Sequence, residues 1–237
     1  MALPIPLSAA RQLEHTLSGF DFVIDKNWRG EPVDHEPFHV HLEWFFQRLK
    51  GRPHKRVVKA FVEGPLFDDP AEPDDLGGVC HNLYDYECVE LFFANGKNQY
   101  LEIEIGPHGH WLVLLFKERR VPLHLNDDLE LEVQNVFEGN TWRSVFEIPL
   151  AYFPPKVSRF NGYALHGSGK NRHYEAVHPI FDGRPNDAPD FHRLEFFRPI
   201  KIEKIIPESF NDHSFNDLYY GDLWAETTVQ PVPIVPI

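Results

Sequence analysis

The sequence predicts an all-β fold, a single antiparallel β-sandwich. Three observations favour it: apolar and polar residues alternate with a period of two across residues 38–202, helical periodicity is scarce, and turns rich in glycine and proline follow the strands at short intervals. The chain has 237 residues, and single β-sandwich domains reach about 200–250 residues. We therefore predict one domain over residues 1–237.

Individual segments support the strand predictions. In residues 100–105 the apolar side chains fall on one face and the two glutamates on the other. Residues 111–116 are apolar on both faces, which is typical of a central strand covered on both sides. Four further predicted strands are enriched in apolar, β-branched or aromatic residues: 57–62, 88–93, 129–133 and 145–148.

Turn signals separate the strands. The segment Asn95-Gly96-Lys97-Asn98 predicts a hairpin, because Asn-Gly tolerates the positive φ angles of a type I′ turn. Residues 106–109 and 138–140 predict two more hairpins. The acidic, proline-containing residues 68–75 predict a loop.

The two ends of the chain differ from its centre. Residues 8–18 predict a short N-terminal helix, because apolar residues recur there at helical spacing and Gly19 suits the end of a helix. Residues 229–237 contain alternating prolines, which forbid a helix and favour an extended arm.

Charge and cysteine content limit the partners and the compartment. The chain has 23 Lys and Arg against 36 Asp and Glu, a net charge of −13, which repels phosphate backbones and anionic lipids. We expect no nucleic-acid and no membrane partner. The N-terminus lacks a signal-peptide pattern, and both cysteines, Cys80 and Cys88, are expected to be free thiols. These features predict a soluble, cytoplasmic, acidic protein.

Common enzyme motifs are absent from the sequence: the dinucleotide and Walker loops, H-E-x-x-H and G-x-S-x-G. His41-Leu42-Glu43 has the first half of a zinc-deaminase signature, but the P-C-x-x-C half is missing. His39 with His41, and His108 with His110, have the spacing that places both rings on one face of a strand. With Glu43 the first pair suggests a His/His/carboxylate metal site; the alternative is a solvated strand face.

Four glutamates fall on two neighbouring predicted strands: Glu87, Glu90, Glu102 and Glu104. Carboxylates in such a cluster suit a hard cation, a ligand or the acid/base pair of a glycosidase. The alternative is a polar outer sheet face with Lys and Arg opposite.

The segment 166–173 is a small, polar, positively charged loop in an acidic protein. Its glycine amides and an arginine suit an anion or sugar hydroxyls, and the alternative is a plain hairpin loop. The five tryptophans suit either stacking on sugar rings or ordinary packing; they are Trp28, Trp44, Trp111, Trp142 and Trp224.

Residues 83–93 and 100–109 resemble the central hairpin of the family 9 carbohydrate-binding-module-like domains, with an acidic residue two positions before Val-Glu and a closing Pro-x-Gly turn. The Ile-Pro ending within 146–150 and the late segments 164–179 and 189–192 extend the resemblance over about residues 55–200. The resemblance implies a jelly-roll β-sandwich, often with bound calcium, whose extracellular members clamp a sugar between two tryptophans.

One departure from the family pattern concerns the clamp. This chain has Val177-His178-Pro179 where those domains usually have Trp-Ser-Pro, so one expected aromatic is missing. More closely, the whole chain resembles a family named after an open reading frame on human chromosome 4, and that resemblance brings no function with it.

We therefore predict a non-catalytic binding domain for a carbohydrate or another polyhydroxylated ligand. In this hypothesis Trp111 supplies a stacking face, because ligand sites combine an apolar wall with a few polar groups. The residues expected to supply hydrogen bonds around it are His110, Asn171, Arg172 and His173.

Two other functions stay open. The first is a structural or assembly component that docks on a protein partner through its acidic surface or residues 229–237. The second is a hydrolase or lyase that uses Glu87, Glu90 or the histidines, although no motif assigns catalytic residues. No cofactor is predicted from the residues themselves, and calcium is implied by the fold resemblance alone.

Overall fold

The computed structural model describes residues 18–47, 50–51, 55–73, 76–124, 129–184, 188–210 and 220–225. The predicted helix over 8–18, except for residue 18, and the predicted arm over 229–237 lie outside these residues. The strands are β1 (Phe20–Ile24), β2 (Phe38–Gln47), β3 (Lys55–Pro65), β4 (Cys88–Asn95), β5 (Tyr100–Ile105), β6 (Trp111–Glu118), β7 (Val121–His124), β8 (Val133–Glu138), β9 (Thr141–Pro149), β10 (Val157–His166), β11 (His173–Ala176) and β12 (Arg198–Pro199). Short 3₁₀ turns cover Leu83–Asp85, Leu150–Tyr152, Gly169–Asn171, Leu194–Phe196, Ile202–Lys204 and Glu208–Phe210.

The strands form two antiparallel sheets, which confirms the predicted all-β sandwich. The smaller sheet has the order β1-β2-β3-β9-β8. The larger sheet has the order β11-β10-β4-β5-β6-β7, with β12 paired to β10. Strands β3 and β9 are neighbours although about 80 residues separate them along the chain, so the sheet order depends on contacts between distant segments.

The main hydrophobic core lies between the two sheets. It takes side chains from both, for example Val58 on β3 and Leu91 on β4. A second apolar layer covers the other face of the larger sheet and includes Phe92, Tyr163 and Phe197. Strands β4 and β5 are therefore buried at every position, because one face packs on the opposite sheet and the other on this layer.

The predicted hairpin after β4 is present, but its turn type is not the predicted one. A type I′ turn needs positive φ at both central residues, whereas in this turn only Asn98 has positive φ, at 65°. The Asn95 side-chain oxygen organises the loop instead, since it accepts hydrogen bonds from the N–H groups of Lys97 and Gln99. The predicted turns at 106–109 and 138–140 do join β5 to β6 and β8 to β9.

The predicted strand over 129–133 is wrong for all but its last residue. Leu129 and Leu131 are buried in the main core as the alternation indicates, yet no ladder forms there. The Tyr152 hydroxyl accepts from the Glu130 N–H at 2.9 Å and donates to the Glu130 carbonyl at 2.8 Å. A side chain thus satisfies backbone groups that a neighbouring strand would otherwise pair.

Candidate functional site

An open groove of about 410 Å³ lies on the outer face of the smaller sheet. Two rows of paired residues from β1, β2, β3 and β9 form its floor. The first row is Asp21, His41, Phe61 and Val145, and the second is Val23, His39, Glu63 and Arg143. These positions alternate with buried ones, because successive side chains in a strand point to opposite faces.

Polar groups surround the half-buried ring of Phe61 in this groove. His41 Nδ1 lies 2.8 Å from Asp21 Oδ1, and its ring centroid is 5.9 Å from that of Phe61. Arg143 pairs with Glu63 and Glu138, and hydrogen bonds to both carboxylates raise the pKa of the guanidinium. The groove thus offers an apolar ring together with carboxylate, imidazole and guanidinium groups.

The histidine pair His39 and His41 lies on this outer face, as its spacing predicts. Glu43 is on the same strand face, with its Oε2 3.8 Å from His41 Nε2. Among the described residues, the groups of three whose ligand atoms lie within reach of one ion do not include these three residues. His39 and His41 instead line the groove, and Glu43 is not among its lining residues.

A second feature is a layer of three carboxylates, Glu90, Glu102 and Glu104, on the other face of the larger sheet. None is more than 4% exposed, because the second apolar layer covers them. This face of the larger sheet is therefore covered by apolar residues, and it is not the polar face with Lys and Arg opposite that was the alternative expectation. If all three were ionised, Glu102 Oε2 and both Glu104 oxygens would have no hydrogen-bond donor among the described residues.

Burial raises the pKa of each of these carboxyls, and that of Glu102 reaches about 8. Like charges add to this effect, since Glu102 raises the pKa of Glu90, and both raise the pKa of Glu104. The positive charge of Arg172 works in the opposite direction on Glu90. Burial and the neighbouring like charges thus favour the neutral form of these carboxyls, and a protonated carboxyl can donate a hydrogen bond to its neighbour.

His192 meets this layer at its edge. Its Nδ1 lies 2.7 Å from the Tyr100 hydroxyl, in a hydrogen bond, and 3.7 Å from Glu102 Oε2. Burial, and then the charge of Arg120, lower the pKa of His192 to about 4. Both His192 and Glu102 are therefore neutral at pH 7, and their contact is not an ion pair.

Glu87 has a different role from the other three glutamates. Its two carboxylate oxygens accept hydrogen bonds from the N–H groups of Phe67 and Asp68, at 3.1 and 2.6 Å. Burial raises the pKa of Glu87, while those bonds lower it. Glu87 thus anchors the loop that follows β3.

The predicted ligand-binding residues lie in two separate places. Trp111 opens β6, half-buried against the main core, and the neighbouring His110 is only 2% exposed. Four strand spacings of about 4.8 Å put Trp111 roughly 19 Å from β11, where His173 begins the strand. The row of paired residues between them is Trp111, Ile105, Val89, Ala164 and Glu175.

Asn171, Arg172 and His173 do lie together, at the edge of the larger sheet. Asn171 and His173 are exposed. Arg172 donates to three main-chain carbonyls, those of Gly167, Tyr84 and Tyr86, at 3.1, 2.6 and 2.7 Å. The Arg172 guanidinium therefore links the loop at Gly167 to the loop at Tyr84 and Tyr86. The structure does not bring Asn171 and His173 to Trp111.

The tryptophans pack in the interior. Trp28, Trp44, Trp142 and Trp224 are at most 9% exposed, and Trp111 is half-buried. The Trp142 indole N–H donates to Asn135 Oδ1 at 2.8 Å, which satisfies its polar atom inside the core. The packing alternative thus describes these side chains, and no pair of them forms an exposed sugar clamp.

Sequence reasoning missed four of the groove residues: Asp21, Phe61, Glu63 and Arg143. Each stands at an outward position of its strand. The alternation itself was the available signal, but it does not tell which strands are neighbours.

Among the described residues, no helix has the length and apolar character needed to cross a membrane.

The chain is similar to several known proteins. The UPF0462 protein C4orf33 homolog of Mus musculus is 40% identical over 208 residues, which cover 86% of this chain and 100% of the relative. The UPF0462 protein C4orf33 of Homo sapiens is 36% identical over 86% of this chain and 96% of its own length. The homolog of Danio rerio is 34% identical over 80% and 93%.

Two solved structures are similar to this chain. A proposed carbohydrate-binding protein from Bacteroides uniformis has a TM-score of 0.51 and 17% identity, over 76% of this chain and 85% of its own. A family 9 carbohydrate-binding module from Caldicellulosiruptor kristjanssonii, in complex with cellotriose, has a TM-score of 0.39 and 10% identity, over 68% and 73%. The first likeness confirms the β-sandwich fold, and the second is too distant to compare sites.

No family model matches the chain. The relatives, by contrast, are at least 34% identical over nearly their full length, which confirms the resemblance to the open-reading-frame family. The chain therefore belongs to the family of the UPF0462 protein C4orf33 and its homologues.

Proposed function

We propose that this protein is a non-catalytic binding domain for a carbohydrate or another polyhydroxylated ligand, which it holds in the groove on the smaller sheet. The observation that carries the proposal is the half-buried Phe61 ring in an open groove, surrounded by groups that bind hydroxyls. The fold is shared with a protein described as a proposed carbohydrate-binding protein, and this agrees with the proposal.

The chemistry of the groove suits such a ligand. The Phe61 ring, with Val145 paired beside it and Val23 elsewhere in the groove, offers an apolar surface for the CH groups of a sugar ring. Glu63 accepts hydrogen bonds from ligand hydroxyls, and Arg143 donates to their oxygens. The volume of about 410 Å³ lies within the range of ligand sites, about 300–1,000 Å³.

This location differs from the surface predicted around Trp111. The groove gathers an aromatic ring and polar groups at one place, whereas Trp111 lies about four strands, roughly 19 Å, from β11, which His173 begins. The carboxylate layer is a weaker candidate for catalysis, since its members are at most 4% exposed and a substrate needs access to them.

The proposal is tested by calorimetric titration with a panel of mono- and oligosaccharides, on wild type and on Phe61→Ala and Arg143→Ala. We expect saturable binding of at least one sugar, weakened about two- to tenfold by Phe61→Ala, because an aromatic contact contributes roughly 0.5–1.5 kcal/mol. Arg143→Ala is expected to weaken it at least as much, since a hydrogen bond to a charged group contributes about 1.5–3 kcal/mol.

Phe137→Ala is the matched control, because Phe137 is an exposed aromatic on β8 outside the groove. It should leave the affinity unchanged. A loss of affinity in Trp111→Ala, with none in Phe61→Ala, would move the site to the surface predicted from the sequence. Failure of every sugar to bind would contradict the proposal for the panel tested and favour the assembly alternative.

A further inference from the structure

Three side chains from distant parts of the sequence meet beside β11: His35, His166 and Glu175. His166 ends β10, where it pairs with His173, while Glu175 on β11 pairs with Ala164. His166 and Glu175 are therefore diagonal neighbours on one sheet face. His35 precedes β2 and packs edge to face on His166, with the ring centroids 5.2 Å apart.

The ligand-type atoms of the three residues converge. His35 Nε2 lies 2.8 Å from Glu175 Oε1, and His166 Nε2 lies 2.7 Å from the same oxygen. All three atoms lie within 4.8 Å of one another. Two imidazole nitrogens thus point at one carboxylate oxygen.

The hydrogen bond made by Nδ1 of His35 determines which ring nitrogen carries the hydrogen in the neutral ring. Its Nδ1 lies 2.9 Å from the backbone carbonyl of Glu36, and a carbonyl only accepts, so Nδ1 carries the hydrogen. In the neutral ring Nε2 then presents a lone pair to the oxygen of Glu175. Two lone pairs at 2.8 Å repel each other unless a cation, either a proton or a metal ion, lies between them.

The second carboxylate oxygen of Glu175, Oε2, also lies in an environment that favours a bound cation. Glu175 is 1% exposed, and its Oε2 is buried with no hydrogen-bond partner among the described residues. The ion pairs recorded for Glu175 in the described part of the chain are with His35 and His166. A buried carboxylate oxygen without a donor is costly, and a metal ion that binds the carboxylate removes that cost.

The ring of His166 is fixed in place by its neighbours. The Phe67 ring lies parallel to it, with centroids 3.6 Å apart and an interplanar angle of 4°. The His173 ring is also parallel, at 4.8 Å and 5°. The backbone carbonyl of Glu36 orients His35 in the same way as the outer partners that orient metal-bound histidines.

We propose that His35, His166 and Glu175 bind a divalent transition-metal ion of the zinc type. Two neutral imidazoles and one carboxylate are a ligand set that zinc uses, whereas calcium prefers oxygen ligands alone. Three protein ligands leave a position for water or another ligand. The site is independent of the proposed sugar groove, because none of its three residues lines that groove.

The test is titration of chelator-treated full-length protein with Co²⁺, followed by visible d–d absorption, and then competition with Zn²⁺. We expect one equivalent of Co²⁺ to bind and Zn²⁺ to displace it. Glu175→Gln keeps the side-chain shape but removes the charge, and His35→Ala removes a ligand. Each should weaken the affinity by more than ~100-fold, since even the partners of metal ligands typically contribute ~10–100-fold.

His81→Ala is the matched control, because His81 is an exposed histidine outside both the cluster and the groove. It should bind Co²⁺ as wild type does. Far-UV circular dichroism checks that each variant folds; if Glu175→Gln does not, the partly exposed His35 decides the outcome. The proposal is overturned if wild type shows no saturable d–d absorption, if His35→Ala binds like wild type, or if His81→Ala loses binding equally.

Discussion

At the scale of single residues, the glutamates of β4 and β5 depart most from the expectation that charged side chains face water. Glu102 and Glu104 alternate with apolar residues along β5, as on an ordinary half-exposed strand. Both are nevertheless buried, because the second apolar layer covers this face. Much of that layer comes from later parts of the chain. The cost of burial appears as a pKa of about 8 for Glu102.

This pKa predicts how stability depends on pH. Below about pH 4.5, Glu102 is protonated in the folded and the unfolded chain, so it costs nothing. As the pH rises from 4.5 towards about 8, only the unfolded chain ionises, and the free energy of unfolding falls by up to about 1.4 kcal/mol per pH unit. Above about pH 8 the loss levels off. Glu102→Gln should therefore stabilise the protein by about 1 kcal/mol or more at pH 7.

Urea denaturation at a series of pH values checks this prediction. The slope of stability against pH should be shallower in Glu102→Gln than in wild type. Glu118→Gln, an exposed position on β6, should leave the curve nearly unchanged. Equal slopes of stability against pH in wild type and Glu102→Gln would contradict the assignment of a raised pKa.

At the scale of elements, β3 is shaped by one close approach to β2. Gly64 lies beneath the ring of Phe38, and a Cβ atom there would be 2.1 Å from Phe38 Cδ1. Phe38 is 1% exposed and packs edge to face against Trp142, so its ring has little room to move. This contact, rather than any special backbone conformation, explains a glycine inside a central strand.

Gly64→Ala is therefore expected to destabilise the protein. Alanine in a strand is normally favoured over glycine, but the overlap with Phe38 should dominate and cost about 1–3 kcal/mol. The measurement is the urea midpoint, compared with Gly96→Ala, because a Cβ on Gly96 would meet nothing within 4 Å. Equal midpoints for the two variants would show that the Phe38 ring moves aside easily.

At the scale of the whole molecule, the two sheets share one core. Buried residues from both sheets belong to the same cluster, and the second layer packs on the outer face of the larger sheet. Neither sheet can lose its partner without exposing that core to water. The single domain over residues 1–237, which the chain length predicts, stays a prediction.

We expect the protein to unfold in one cooperative transition. Trp142 lies in the core between the sheets and Trp28 in the second layer, so tryptophan fluorescence reports on both, while far-UV circular dichroism reports on the strands. Their denaturation midpoints should coincide. A fluorescence midpoint that differs from the circular-dichroism midpoint of the same protein would mean that parts of the molecule unfold independently, contrary to the prediction.

The sequence by itself determined the class of fold and five of the twelve strands in the described residues, β3, β4, β5, β6 and β9, because period-two alternation and turn residues are local properties of the chain. Residues 106–109 and 138–140 needed no distant partner to be recognised as turns. Even local chemistry failed where a distant side chain intervened, as Tyr152 does at Glu130.

Only the tertiary structure decided what each strand face meets. Alternation separates two faces of a strand but does not say whether water, a second sheet or an aromatic layer covers them. Glu104 therefore became buried, and Phe61 came to lie beside Val145 in an open groove. His35 and Glu175 lie 140 residues apart in the chain, so their contact depends on the packing of the whole sandwich, which no local pattern encodes.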